Sequence, residues 1–225
     1  MDSFQTLWQR FHPDAVPVGH TLENNGTWNL TRFHLLPNGR DGWVSRVEYR
    51  GLISRFNHLA TEILDAGAPV WLILPERSAP DWAPPEAVDP AAKKRIHRLK
   101  NRFGLTPRWD YYSADDKAIY TISAGEITWP EGGIARLFVD IHNERLSDIV
   151  LMNADTGAVV APYGAGVYVS QPTPEALMAL ISNYYGWLPQ DGKGVLRFNP
   201  AQMKKSSFQM SKSCAAAIQR ALGTG

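Results

Sequence analysis

The sequence predicts an α+β fold, in which a largely antiparallel sheet carries covering helices and a C-terminal amphipathic helix. Three observations indicate this class. Apolar residues recur at spacings of three and four between Leu52 and Leu64, which is the pattern of one helical stripe. Segments with strand character are concentrated between Ile134 and Val169. Two more helical patterns follow them, one starting at Pro174 and one covering Ser206 to Leu222.

Helices and strands alternate in the first half of the chain. Ser3 can cap a first helix that runs to about Phe11, and Pro13 stops it. The predicted elements that follow are a strand within Trp28–Leu36, the helix ending at Gly67, a strand at Val70–Leu74 and a basic helix from Pro90 to about Phe103. The proline-rich segment between the last strand and the basic helix, Pro75–Pro90, is interpreted as an ordered surface loop that contains Trp82.

The second half is predicted to begin with a hairpin. Its strands are Arg108–Tyr112 and Ile119–Ser123, and residues 113–117 form the turn. Three more strands are predicted at Ile134–Glu144, Asp148–Asn153 and Val159–Val169. Thr173 is the expected cap of the helix that starts at Pro174.

Size and composition favour one large domain. With 225 residues, 44% of them hydrophobic, the chain can bury a proper core. We expect a single α+β domain over residues 1–200, with residues 201–225 forming a helix docked on it. The net charge of +1 supplies no general field for phosphate backbones or anionic lipid, so nucleic-acid and membrane partners are not expected.

The N-terminal residues and the cysteine content favour a cytoplasmic protein. Asp2 stands where a signal peptide would carry basic residues, and no apolar run approaches the roughly 18 residues that cross a bilayer. Cys214 is the one cysteine, which excludes an internal disulfide. The sequence gives no indication of the oligomeric state.

The most suggestive polar cluster lies in the predicted strand Ile134–Glu144. Alternate residues of a strand share a face, so four polar side chains would point away from the core together with Phe138. These are Arg136, Asp140, His142 and Glu144. The favoured interpretation is a solvated face that can recognise a partner, and the alternative is a divalent-metal or acid–base site made by Asp140, His142 and Glu144.

Three further residues are candidate neighbours of that face. Asp115 and Asp116 are adjacent carboxylates, but short polar residues between two strands are more typical of a hairpin tip. Trp82 is a large side chain in the proline-rich segment and is a candidate anchor for a partner.

The sequence contains no catalytic or cofactor motif of high specificity, so no cofactor is predicted. Cys214 lies on the apolar stripe of the last helix, where a cysteine behaves as a small hydrophobic residue. Residues Gly164 to Gly166 are better explained by a turn between strands than by a nucleotide loop. The basic helix Lys93–Arg102 is a candidate for binding RNA or an acidic protein, but its apolar stripe favours a docked helix with a solvated charged face.

The segment Val150–Val169, followed by Leu177–Leu188, resembles an uncharacterised bacterial domain family. Members end with a strand, a Pro-Tyr-acid-Gly-Gly turn, a short strand, a helix and a final Tyr-x-x-Trp-Leu. The matching residues are Pro162, Tyr163, Gly166, Tyr184, Trp187 and Leu188. The chain departs from this pattern at Gly164 and Tyr168, which stand where relatives commonly carry acids.

The resemblance implies a function without catalysis. Proteins of this type are often encoded beside secreted toxins, which suggests an immunity protein that neutralises its cognate toxin by stoichiometric binding. The expected binding residues are the seven polar and aromatic candidates above. A metal-dependent hydrolase that uses Asp140, His142 and Glu144 remains the alternative.

Overall fold

The computed structural model describes residues 3–36, 45–78, 90–190, 194–203 and 211–223. Within these ranges the chain forms an eight-stranded sheet and seven helices. The helices are α1 (Ser3–Phe11), α2 (Arg46–Leu64), α3 (Pro90–Phe103), α4 (Ala135–His142), α5 (Pro174–Tyr184), α6 (Pro200–Met203) and α7 (Lys212–Leu222). The strands are β1 (Leu30–His34), β2 (Pro69–Arg77), β3 (Thr106–Ser113), β4 (Ala118–Thr128), β5 (Val150–Asn153), β6 (Val159–Tyr163), β7 (Gly166–Ser170) and β8 (Leu196–Arg197).

The sheet confirms the predicted α+β class. Its strand order is β3-β4-β2-β5-β6-β7-β1-β8, and every pair of neighbouring strands is antiparallel. None of the helices in the described residues has the length and apolar character needed to cross a membrane.

Both faces of the sheet are covered, and β2 shows why its sequence is continuously apolar. Val70, Leu72 and Leu74 belong to the core that packs against the helices of one face. Trp71 and Ile73 belong to a second core on the opposite face, which α1 and residues 15–22 cover. A strand buried on both sides needs apolar residues at every position rather than at alternate ones.

Local sequence explains where several helices begin. The Ser45 and Glu48 side chains form a reciprocal capping box at the start of α2. The predicted Thr173 cap of α5 is confirmed, since its hydroxyl accepts from the Ala176 amide. Ser211 caps α7 through the Cys214 amide, and Cys214 itself is buried in the core on the helical face.

The main differences from the prediction lie in four places. Ile134–Glu144 is not a strand, because residues 135–142 form α4. Val159–Val169 forms two strands, β6 and β7, rather than one, and the turn predicted at Gly164–Gly166 is confirmed by the reversal at Gly164 and Ala165. Pro75 lies within β2 rather than in a loop. Phe208, predicted on the last helix, lies outside the described residues, and the helix there begins at Lys212.

Candidate functional site

A cleft of about 340 Å³ opens where three separate segments of the chain meet. One wall is the turn Gly19–Thr21, the second is the connection from α4 to β5, and the third is the β6–β7 hairpin. Most of its lining is apolar, with polar groups at the edge. Its lining includes His20, Glu144, Leu146, Asp148, Tyr163 and Tyr168.

His20 connects two acidic residues at the edge of the cleft. Its Nδ1 lies 2.7 Å from Asp148 Oδ1, and its Nε2 lies 3.3 Å from Asp116 Oδ2. The His20 amide also donates to Asp148 Oδ1, at 3.1 Å. Only a protonated imidazole donates from both nitrogens, so the two carboxylates favour the charged form. Burial acts to lower the pKa of His20, but the hydrogen bonds and charges of Asp148 and Asp116 raise it overall.

The backbone around Asp148 is built for this close contact. A side chain at Gly19 would come within 3.0 Å of the Asp148 Cα, so only glycine fits there without displacement. Asp148 has a φ of 60°, a left-handed conformation that Asp adopts more readily than most residues. The Gly19 amide donates to the Asp148 carbonyl, which joins the two segments through the backbone as well.

Asp116 is held at the tip of the β3–β4 hairpin. Ser113 Oγ and Tyr120 Oη both donate to its Oδ2, at 2.9 and 3.0 Å. These bonds, the Ser113 bond first, keep the pKa of Asp116 below its ordinary value. Burial and the bond to Asp116 raise the pKa of Tyr120 to about 12. The prediction that Asp115 and Asp116 form a hairpin tip is confirmed.

A second polar group lies on the opposite wall of the cleft. The Tyr168 hydroxyl donates to Glu23 Oε2 at 2.9 Å, and the rings of Tyr168 and Tyr163 lie 5.3 Å apart. Burial, and then the bond to Glu23, raises the pKa of Tyr168. A side chain at Gly166 would lie 2.4 Å from the Phe33 carbonyl oxygen, so glycine is required where β7 passes β1.

A groove of about 180 Å³ runs between α3 and α4. Four arginines line it: Arg95, Arg98 and Arg102 from α3, and Arg136 from α4. Asp140 also lines the groove, and it forms ion pairs with Arg136 at 3.3 Å and with Arg145 at 3.4 Å. Leu146 lines both this groove and the cleft, so the two hollows adjoin.

The predicted strand face is therefore wrong, because helical geometry separates the residues it grouped. Phe138, expected to be exposed, is fully buried and stacks on Phe56 with ring centroids 4.0 Å apart. Asp140 and Arg136 face the groove. His142 Nδ1 lies 2.6 Å from the Gly164 carbonyl oxygen, and Glu144 lines the cleft.

The helix also disperses the residues of the alternative metal site. Asp140 is engaged by two arginines and His142 by a backbone carbonyl. In the described part of the chain, no group of three or more His, Cys, Asp or Glu side chains is arranged to hold a metal ion.

The structure nevertheless brings most of the predicted residues to adjoining positions. Arg136 and Asp140 line the groove, Glu144 lines the cleft, and Asp116 contacts the cleft residue His20. Asp115 is the exposed neighbour of Asp116 at the hairpin tip. Trp82 falls outside the described residues.

Apart from Glu144, sequence reasoning missed the contacts that build the cleft. His20 and Asp148 are separated by 128 positions, and Tyr168 and Glu23 by 145, so no local spacing joins them. One local feature was available, because Gly19 directly precedes His20 and a glycine there permits close approach of another backbone.

Comparison with known proteins identifies a family. The model of a family described as Domain of unknown function (DUF3885) matches residues 18–191. No curated protein matches the chain significantly, and no solved structure does. The match includes the cleft, α3, α4 and the groove, and it begins after α1.

Proposed function

The chain belongs to the DUF3885 domain family, and we propose that it is an immunity-type protein that binds a bacterial effector toxin and blocks it. The block is stoichiometric and needs no chemical step. Binding of this kind depends on a surface that is complementary to the partner in shape and charge.

The adjoining cleft and groove are the observation that carries this proposal. Together they form one recessed surface with an apolar lining, an acidic edge at Glu144 and Asp148, and a basic edge on α3. Hollows of this kind accept anchoring side chains from a partner, and polar residues around them exclude water and set orientation. The expected contacts are Arg136, Asp140, Glu144 and the hairpin tip at Asp115 and Asp116, with His142 supporting the Gly164 turn and Trp82 as a further candidate.

The arrangement of nucleophiles and bases supports binding over catalysis. The Ser113 hydroxyl donates to Asp116 rather than to an imidazole. Cys214 is fully buried between the helical elements. Both nitrogens of His20 are engaged by carboxylates, which suits a structural clamp better than a general base. The metal-dependent hydrolase is not proposed, because it relied on the strand that α4 replaces.

Growth rescue tests the proposal directly. The chain is co-expressed with the product of the adjacent gene, and purified proteins are mixed and analysed for a one-to-one complex. We expect wild-type protein to restore growth and to form the complex. Failure of both, with an adjacent gene that is not a toxin, would overturn the proposal.

Charge-swapped variants locate the binding surface. Arg136→Glu combined with Glu144→Arg reverses two exposed charges without changing the net charge, and should weaken the complex by about tenfold or more. The matched control combines Glu126→Lys with Lys212→Glu, which are exposed residues that line neither hollow. Equal effects of the two double variants would place the interface elsewhere.

A further inference from the structure

We propose that the α3–α4 groove is a binding site for an acidic, leucine-bearing segment of a partner protein. This deepens the proposed function, since it states the chemistry of the partner segment, and it rests on that function only for the partner's identity. It follows from three observations: the arginines of the groove, its apolar floor and the low net charge of the chain as a whole.

The arginines are gathered on one side of α3. Arg95, Arg98 and Arg102 are spaced by three and four residues, so they lie along one face of the helix, and Arg136 approaches from α4. Arginine presents several donors in a planar fork that matches a carboxylate. Among the described residues that line the groove, the acid is Asp140, and it is paired with Arg136 and Arg145.

The floor of the groove distinguishes a protein segment from a nucleic acid. Leu99, Phe103, Leu137 and Leu146 line it beneath the arginines. Burial of a partner's apolar side chains against such a floor stabilises the complex, whereas a phosphate backbone carries no apolar side chains. An amphipathic helix with acids beside its leucines satisfies both parts of the groove.

The basic character is local rather than general. The whole chain carries a net charge of only +1, so the four arginines that line this hollow are not part of a general positive charge. Such a patch attracts an acidic segment within about one Debye length, roughly 8 Å at physiological salt.

Fluorescence anisotropy with synthetic probes tests the site on the full chain. The main probe is a labelled peptide of 14 residues, the length of α3, made of glutamates with leucines at every third or fourth position. The second peptide replaces the leucines by serine, and the third replaces the glutamates by lysine. Single-stranded RNA and DNA of equal charge complete the set.

We expect the acidic leucine peptide to bind most tightly, and added salt to weaken it. Arg98→Glu combined with Arg102→Glu should weaken it by about tenfold or more. The matched control is Lys93→Glu combined with Lys94→Glu, which changes the net charge equally on the same helix but outside the groove. All four residues are exposed, so both variants should keep the fold.

Three outcomes would overturn the proposal. These are no binding of the acidic leucine peptide, equal weakening by the two double variants, and tighter arginine-dependent binding of RNA or DNA. The peptide assay contains no toxin. If the peptide binds but growth rescue and complex formation both fail, with an adjacent gene that is not a toxin, the proposed function is rejected and the groove remains a binding site. If rescue occurs without peptide binding, the groove proposal is rejected and the proposed function remains.

Discussion

His20 is the residue that ties the edge of the cleft together. It contacts Asp148 in the α4–β5 connection and Asp116 at the hairpin tip, which are remote from it in sequence. Both contacts strengthen when the imidazole carries a proton. The geometry of the cleft edge therefore depends on one titratable side chain.

Replacing His20 by Gln should reduce stability in a pH-dependent way. The pKa of His20 is raised in the folded protein, so its stabilisation is complete below the ordinary histidine value of about 6.5 and is lost as pH rises through the folded value. Because 46% of the side chain is exposed, the effect should be about 1 kcal/mol or less.

Urea unfolding of wild-type protein and His20→Gln at several pH values measures this difference. The difference in free energy of unfolding should be largest in mild acid and should shrink above neutral pH. His97→Gln is the control, since His97 is exposed and its hydrogen-bond partner is the neutral Asn101 side chain. If the difference in free energy of unfolding between wild type and His20→Gln stayed constant across the pH range, protonation of His20 would not stabilise its contacts with Asp148 and Asp116.

At the scale of elements, sequence patterns predict helices and strands correctly where the periodic pattern extends over many residues or where particular residues mark the boundaries. The helix α2 has 19 residues and an apolar stripe from Leu52 to Leu64, and α5 has both a Thr173 cap and a proline in its first turn. The β3–β4 hairpin is marked by the short polar residues of its turn. These elements were predictable because the local conformational preferences of their residues agree with the structure that the whole chain adopts.

The helix α4 was not predictable for the opposite reason. It has eight residues, too few for a period of 3.6 to stand out against a period of two, and it is rich in residues that strands also favour. Ile134 at its start makes no side-chain cap, so no boundary residue marks it. Packing of Leu137, Phe138 and Ile141 against the core determines the helix instead.

A pair of alanine substitutions distinguishes the helix from the strand. Phe138→Ala should lower the free energy of unfolding by about 3 to 5 kcal/mol, because it removes a fully buried ring stacked on Phe56. Val139→Ala is the control and should cost about 1 kcal/mol or less, since Val139 is only half-buried. A strand would reverse this order, which chemical denaturation of the two variants would reveal.

At the scale of the whole molecule, the sheet is the layer between two cores of different origin. Helices from the middle and end of the chain cover one face, and α1 with residues 15–22 covers the other. The cleft opens where the N-terminal layer meets the α4–β5 connection and the β6–β7 hairpin. Its walls are therefore fixed by tertiary packing. This is why local sequence patterns locate parts of the site but not the cleft.

The N-terminal layer should be essential to stability even though α1 precedes the residues matched by the family. Trp8 is buried, its indole N–H donates to the Ala15 carbonyl at 2.8 Å, and Phe4 packs on Trp71 of the sheet. Trp8→Ala should therefore lower the free energy of unfolding by about 3 to 5 kcal/mol. Gln9→Ala, an exposed change on the same helix, should have almost no effect. If both variants unfolded at the same denaturant concentration as wild type, α1 would not be part of the cooperative core, and the second face of the sheet would need another cover.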